Sequence, residues 1–204
     1  MIPKKLLFKL FFALFALMAI KEYIVLKRPA PAPLPPPTSM HLLWPLEGGK
    51  ENAVINLGYG EDWVKSCDGT PKIHTGLDIK AKIGANVLAA QAGEVRVIYV
   101  VKDKYGKYAG KGIVIEHGGG DFTTVYMHIE PLFRENDHVE KGQVIATIAD
   151  ISGAHLHFGI RKAKYGEYAT RGALPRIKTN DNNFCRDDPV FPDKFIDPLV
   201  LKYD

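Results

Sequence analysis

Three separated stretches hold residue types that can bind a metal or move a proton: HTGLD at 74–78, YMHIE around His128, and HLH at 155–157. Histidine and aspartate offer lone pairs to borderline metals, and histidine titrates near neutral pH. The alternation in HLH is that of a strand, so His155 and His157 share one face while Leu156 and Phe158 take the other. Their Cα atoms would then lie ~6.8 Å apart, and both rings can reach a common point. His74 and Asp78 would be ~13 Å apart on a flat strand, too far for easy convergence. The chain must bend between them, and a bend costs least at Gly76. The pattern implies a loop that delivers His74 next to a strand carrying Asp78.

A catalytic zinc takes three protein ligands and leaves a fourth position for water. Each fragment alone is a weak signal. Together, three segments bring the right residue types into β-rich surroundings. The competing structural reading is a set of histidines satisfied by hydrogen bonds at strand edges. The remaining histidines carry less information: His41 sits at the end of a linker, His138 in a polar turn, and His117 before three glycines, where a structural role is expected.

From Leu42 onward the elements that must position these residues are short β runs. NVLAAQ, GEVRVIYVV, GIVIEHG, FTTVYMHI, QVIATIAD and HLHFGIR are rich in β-branched and aromatic residues and bounded by Gly, Asn and Asp. No long window has helical periodicity with caps, so a mainly β, antiparallel domain is expected. The C-terminal DDPVFPDKFIDPLVLKYD is broken by three prolines and is expected to lie across the surface. KYGKYAGKG at 104–112 and KYGEYATRG at 164–172 agree at six of nine positions. Both read as loops or hairpin tips, either as a chance echo or as two walls of a groove gripping an extended polymer.

The chain has 204 residues, with 27 Lys+Arg against 23 Asp+Glu and a net charge of +4. Residues 1–40 hold six of the basic residues against Glu22 alone, which leaves −1 for the rest. The basic balance thus belongs to the N-terminus and gives no reason to expect a nucleic-acid partner. Residues 1–28 place Lys4, Lys5 and Lys9 before an apolar run from Leu10 to Ile20, as in a signal peptide or an N-terminal membrane anchor. Residues 29–41 form a Pro-rich linker, which favours extended polyproline II and suits an uncleaved anchor. Residues 42–204 are then an exported domain, periplasmic or at the cell surface. In an oxidising compartment Cys67 and Cys185, 118 residues apart, are expected to pair, the alternative being two buried thiols.

HTGLDI, VYMHI, VEKGQVIATI and GAHLHFGIR together resemble the successive motifs of the lysostaphin-type (LytM-like) zinc endopeptidases of bacterial cell walls. The resemblance spans about residues 42–200. It implies a barrel-sandwich-like antiparallel domain with long loops flanking a groove, and one zinc ion held by His74, Asp78 and His157. His128 and His155 would be the non-ligand catalytic pair. The implied activity is hydrolysis of peptide cross-links in peptidoglycan. The N-terminal segment allows attachment to the inner membrane, and the sequence leaves open an inhibitory or regulatory protein partner. Zinc would acidify its water, and the histidine pair would handle protons. Tyr126, two residues before His128 on the same strand face, would either help bind the oxyanion or simply pack.

Three other readings compete. A non-catalytic regulatory module that activates other wall hydrolases would have lost ligands, yet all five positions are filled. A non-haem iron oxygenase also uses two histidines and a carboxylate, but needs cytoplasmic cosubstrates. A lipoyl- or biotinyl-type carrier, suggested by VEKGQVIATI, would need an exposed lysine at a hairpin tip.

Overall fold

Each of the six β-rich runs contributes a strand in the computed structural model, which describes residues 40–65, 71–103, 105–166 and 194–204. In chain order the strands are β1 (Ile55–Leu57), β2 (Asp62–Lys65), β3 (Pro71–Ile73), β4 (Gly76–Lys80), β5 (Asn86–Leu88) and β6 (Gly93–Lys102). They continue as β7 (Tyr108–His117), β8 (Phe122–Pro131), β9 (His138–Val139), β10 (Val144–Ile148), β11 (His155–Arg161) and β12 (Phe195–Ile196). Helix among the described residues is limited to two single 3₁₀ turns, Lys50–Asn52 and Pro198–Val200.

Ten strands form one antiparallel sheet, whose main path runs β1-β4-β11-β8-β7-β6-β9. β2 and β3 form a separate two-stranded ribbon. The sheet is open, with β1 and β9 at its ends, and does not close into a barrel. Its long central strands are covered on both faces, which is why GIVIE reads as a nearly unbroken apolar run. One face holds the main core, including Leu77, Ile79, Ile113, Ile115, Tyr126, Ile129, Leu156 and Phe158. The other holds a smaller cluster of Val114, Val125 and Met127 with Val97, Tyr99, Val101 and Tyr165.

Register places five residues in one row across the second face. Asp78 pairs with His157, His157 with Met127, Met127 with Gly112, and Gly112 with Tyr99. The row joins β4, β11, β8, β7 and β6, so cross-strand pairing brings a residue from position 78 beside one from position 157.

One expectation about an irregular segment changes. The C-terminal residues 194–204 do not lie loosely over the surface: β12 pairs with β11, and Phe195, Ile196 and Leu201 are buried. Their apolar residues alternate too briefly between prolines to announce a strand. KYGKYAGKG forms a hairpin tip, as one of its two readings had it: β7 begins at Tyr108, and Lys102 pairs with Tyr108 across the hairpin. Its counterpart at 164–172 falls mostly outside the described residues, as do the N-terminal segment, the Pro-rich linker, Cys67 and Cys185.

Candidate metal centre and histidine pair

His74 sits in the two-residue connection between β3 and β4, Asp78 in the middle of β4, and His157 opposite it on β11. Their nearest ligand atoms form a closed triangle. His74 Nε2 lies 3.1 Å from Asp78 Oδ1 and 2.9 Å from His157 Nδ1, and His157 Nδ1 lies 3.0 Å from Asp78 Oδ1. These three residues are the group of His, Cys, Asp or Glu side chains able to hold a metal ion among the described residues. Both histidines are buried, and Asp78 keeps 15% of its side chain exposed.

The donor set fits a divalent cation on physical grounds. His74 Nδ1 lies 2.9 Å from the carbonyl of Gly58, which makes it the protonated nitrogen and leaves Nε2 with a lone pair. That lone pair faces a carboxylate oxygen, an unfavourable meeting that a cation or a shared proton relieves. Burial alone would raise the Asp78 pKa, but hydrogen bonds and charge from His157 and His74 outweigh it and hold the carboxyl far below the usual range. Burial pushes His157 down to about 4, favouring the neutral imidazole that ligation needs. Two nitrogens and one carboxylate oxygen are the ligand types of a catalytic zinc site with an open position.

Gly76 has a different part from the bend expected of it. It is the first residue of β4, and a Cβ there would lie 2.5 Å from the Phe158 carbonyl oxygen and 2.8 Å from His157 Nε2. The missing side chain lets the His157 ring and the β11 backbone come close, while the chain turns before the strand. His157 Nε2 is buried with no hydrogen-bond partner among the described residues, so contact with Gly76 is what the structure offers to hold that edge of the ring.

His128 and His155 stand beside the triangle with ring centroids 4.4 Å apart. His155 Nε2 is 3.7 Å from Asp78 Oδ2, and 20% of its side chain is exposed. His128 reaches the pair through a β-bulge. Gly112 pairs with Met127 and Lys111 with Ile129, so His128 has no opposite residue, and its φ is 66°. The bulge returns Ile129 to the core face and leaves His128 on the side of the metal candidates. Its Nδ1 lies 2.8 Å from the Ala109 carbonyl, while His155 Nδ1 lies 2.7 Å from the Gly153 carbonyl. Burial, and then the neighbouring His155, push the His128 pKa down.

The same bulge overturns the expected placement of Tyr126. Strand alternation would put Tyr126 and His128 on one face, but Tyr126 is fully buried in the main core. Its hydroxyl accepts the Ala90 N–H at 2.8 Å, and its ring lies 5.3 Å from Phe158. Tyr126 packs in the main core, one of its two expected roles. His117 has the structural role expected of it: its ring nitrogens bond the Ala92 carbonyl and Thr124 Oγ1, and its ring stacks on Phe122. Sequence reasoning missed Ala109, Gly110 and Gly112, because a carbonyl and two absent side chains leave no motif.

Residues 72–169 match the model of Peptidase family M23, a span that includes all five polar site residues. Among solved structures, a zinc-containing peptidase from Vibrio cholerae is 31% identical, with a TM-score of 0.46 over 59% of this chain and 36% of that one. Lysostaphin from Staphylococcus simulans is 26% identical, with a TM-score of 0.45 over 56% of this chain and 45% of that one. Helicobacter pylori Csd3 is 25% identical, with a TM-score of 0.45 over 61% of this chain and 32% of that one. The chain thus spans about a third of the Vibrio and Helicobacter proteins and under half of lysostaphin. No curated protein is a significant match. Among the described residues, no helix is long and apolar enough to cross a membrane.

Proposed function

We propose that this M23 domain is a zinc-dependent endopeptidase that hydrolyses peptide cross-links of bacterial peptidoglycan. One observation carries the reading: His74 Nε2, Asp78 Oδ1 and His157 Nδ1 converge, and the His128–His155 pair stands next to them. His74, Asp78 and His157 would hold a single zinc ion. When bound, zinc supplies a Lewis acid that lowers the pKa of water and polarises a carbonyl.

The chain's own residues supply the rest. The Ala109 and Gly153 carbonyls fix the proton of each ring on Nδ1, so neutral His128 and His155 both present Nε2 as an acceptor. Burial and the His155 neighbour favour the neutral form of His128. Either Nε2 is suited to take a proton from the attacking water, and the resulting imidazolium can return it to the leaving amine. Asp78 serves twice: Oδ1 faces the two metal-candidate histidines, while Oδ2 is placed to steady a charge on His155.

The wider organisation follows the same reading. Residues 1–28 act as a signal peptide or anchor, 29–41 as a Pro-rich spacer, and 42–204 as the peptidase domain in the periplasm or at the cell surface. A purely regulatory module has no observation of its own here, since all five polar positions are filled. The deciding experiment is mass analysis of muropeptides released from purified peptidoglycan, with and without a chelator. New amine and carboxyl termini within the cross-links, lost on chelation and restored by zinc, support the proposal. Chelator-resistant cleavage, or none with zinc restored, overturns it.

A further inference from the structure

The β6–β7 hairpin projects from the site and changes character abruptly along its length. Ala109 and Gly110 are buried at its root, where the Ala109 carbonyl takes the His128 Nδ1 proton. From Lys102 to Tyr108 the described residues are all exposed, with Tyr105 at 74% and Tyr108 at 50%, and Val100 on the adjoining strand is 56% exposed. The tip is nevertheless well built. Asp103 Oδ1 accepts the N–H groups of Tyr105 and Lys107 at 2.8 and 2.9 Å, the Asp103 N–H donates to the Lys107 carbonyl, and Gly106 turns the chain with a φ of 77°.

These bonds have a consequence for charge. Asp103 is the tip's own acid, and its carboxylate is committed to the turn. Glu130, across the sheet, is engaged by the Tyr108 hydroxyl and by Lys111 at 3.4 Å. Lys102 and Lys107 therefore project ammonium groups that form no ion pair among the described residues. A fixed tip showing two phenol rings, a valine side chain and two cations outside any ion pair buries little of its own apolar surface. Such a surface matches a partner that offers apolar ring faces and negative charge.

We propose that this hairpin is a docking arm for the glycan strand of the substrate, with its sugar rings against Tyr105 and Tyr108 and its stem-peptide carboxylates near Lys102 and Lys107. The proposal rests on the peptidoglycan reading and extends it from the bond cut to the polymer held. Position favours this partner over an anionic membrane. Tyr105 is four residues from Ala109, so along an extended strand it lies within ~14 Å of the residue that grips His128. What the tip binds must lie beside what the site cuts.

The test compares the full-length chain with its Tyr105→Ser/Lys107→Gln variant. Co-sedimentation is measured in chelator with sacculi stripped of accessory anionic polymers, across a salt series. Cleavage of a soluble cross-linked peptide without glycan, and pelleting with anionic phospholipid vesicles, complete the comparison. The expected result is about a ten-fold loss of sacculus binding and a flatter salt dependence, while the single variant Tyr105→Ser, which keeps both lysines, cleaves the soluble peptide at the wild-type rate. Equal sacculus binding by the two proteins overturns the proposal, as does a loss seen with vesicles alone. If the wild type cleaves neither substrate while the binding difference persists, the peptidase reading fails and the arm stands.

Discussion

Gly110 lies directly against the backbone of His128: a Cβ at position 110 would sit 2.9 Å from the His128 carbonyl carbon and 3.0 Å from its Cα. Gly110 also has a φ of 82°, where an L side chain is strained. The next carbonyl upstream, Ala109, fixes the His128 tautomer. A backbone segment without chemistry of its own therefore sets both the place and the proton of a candidate catalytic group.

Gly110→Ala should shift His128 while leaving the His74, Asp78 and His157 donors in place. The expected outcome is a loss of kcat on the order of 10²-fold with zinc content unchanged. Metal analysis beside steady-state kinetics checks it, and wild-type activity in the variant would show that the contact has no catalytic consequence.

The division between ligands and proton-handling histidines predicts two different failures. Asp78→Ala should lose both bound zinc and cleavage, since Oδ1 faces both His74 and His157. His155→Ala should keep its zinc and lose ~10²–10⁴-fold in rate. Stoichiometry by atomic emission decides the matter: zinc near zero in the His155 variant would make His155 a ligand.

Tyr126→Phe separates packing from catalysis. Removing the hydroxyl leaves the buried Ala90 N–H without its acceptor, at a cost of ~1–3 kcal/mol. Urea denaturation should register that cost while kcat stays at the wild-type value. Unchanged stability with a depressed kcat would return Tyr126 to the site.

Acid should destabilise the fold partly through His117. Burial pushes its pKa down to about 4, against an ordinary value of 6.5. Between those values the unfolded chain binds a proton that the folded one refuses, so stability falls as pH drops from about 6.5 to about 4. The full swing is on the order of 3 kcal/mol. Denaturation midpoints at pH 7 and pH 4.5 should therefore differ less in His117→Gln than in the wild type. Equal pH dependence in the two would show that His117 is not a source of the acid lability.

Much of this molecule was legible before its structure, because its signals are local. β-branched runs bounded by glycines mark strands, and HLH announces a shared strand face wherever no bulge intervenes. The harder features depend on pairing between distant strands. Tyr126 and His128 look equivalent in sequence, and only the registers Gly112 to Met127 and Lys111 to Ile129 show the bulge that separates them. Gly76 looks like a hinge until β11 is laid against β4 and His157 Nε2 is found where its Cβ would be. The β strand hidden in the C-terminal segment becomes visible only when β11 offers it an edge.

The sequence by itself determined the residue types of the site, the β character of the domain and a motif order that resembles the lysostaphin-type peptidases. Residue type and spacing of 2 are properties of the chain alone. The tertiary structure decided which nitrogen of each histidine faces the metal candidates, which tyrosine is buried, and which glycines make room. Those outcomes depend on backbone carbonyls and on close approach between strands tens of residues apart, and no local pattern records them.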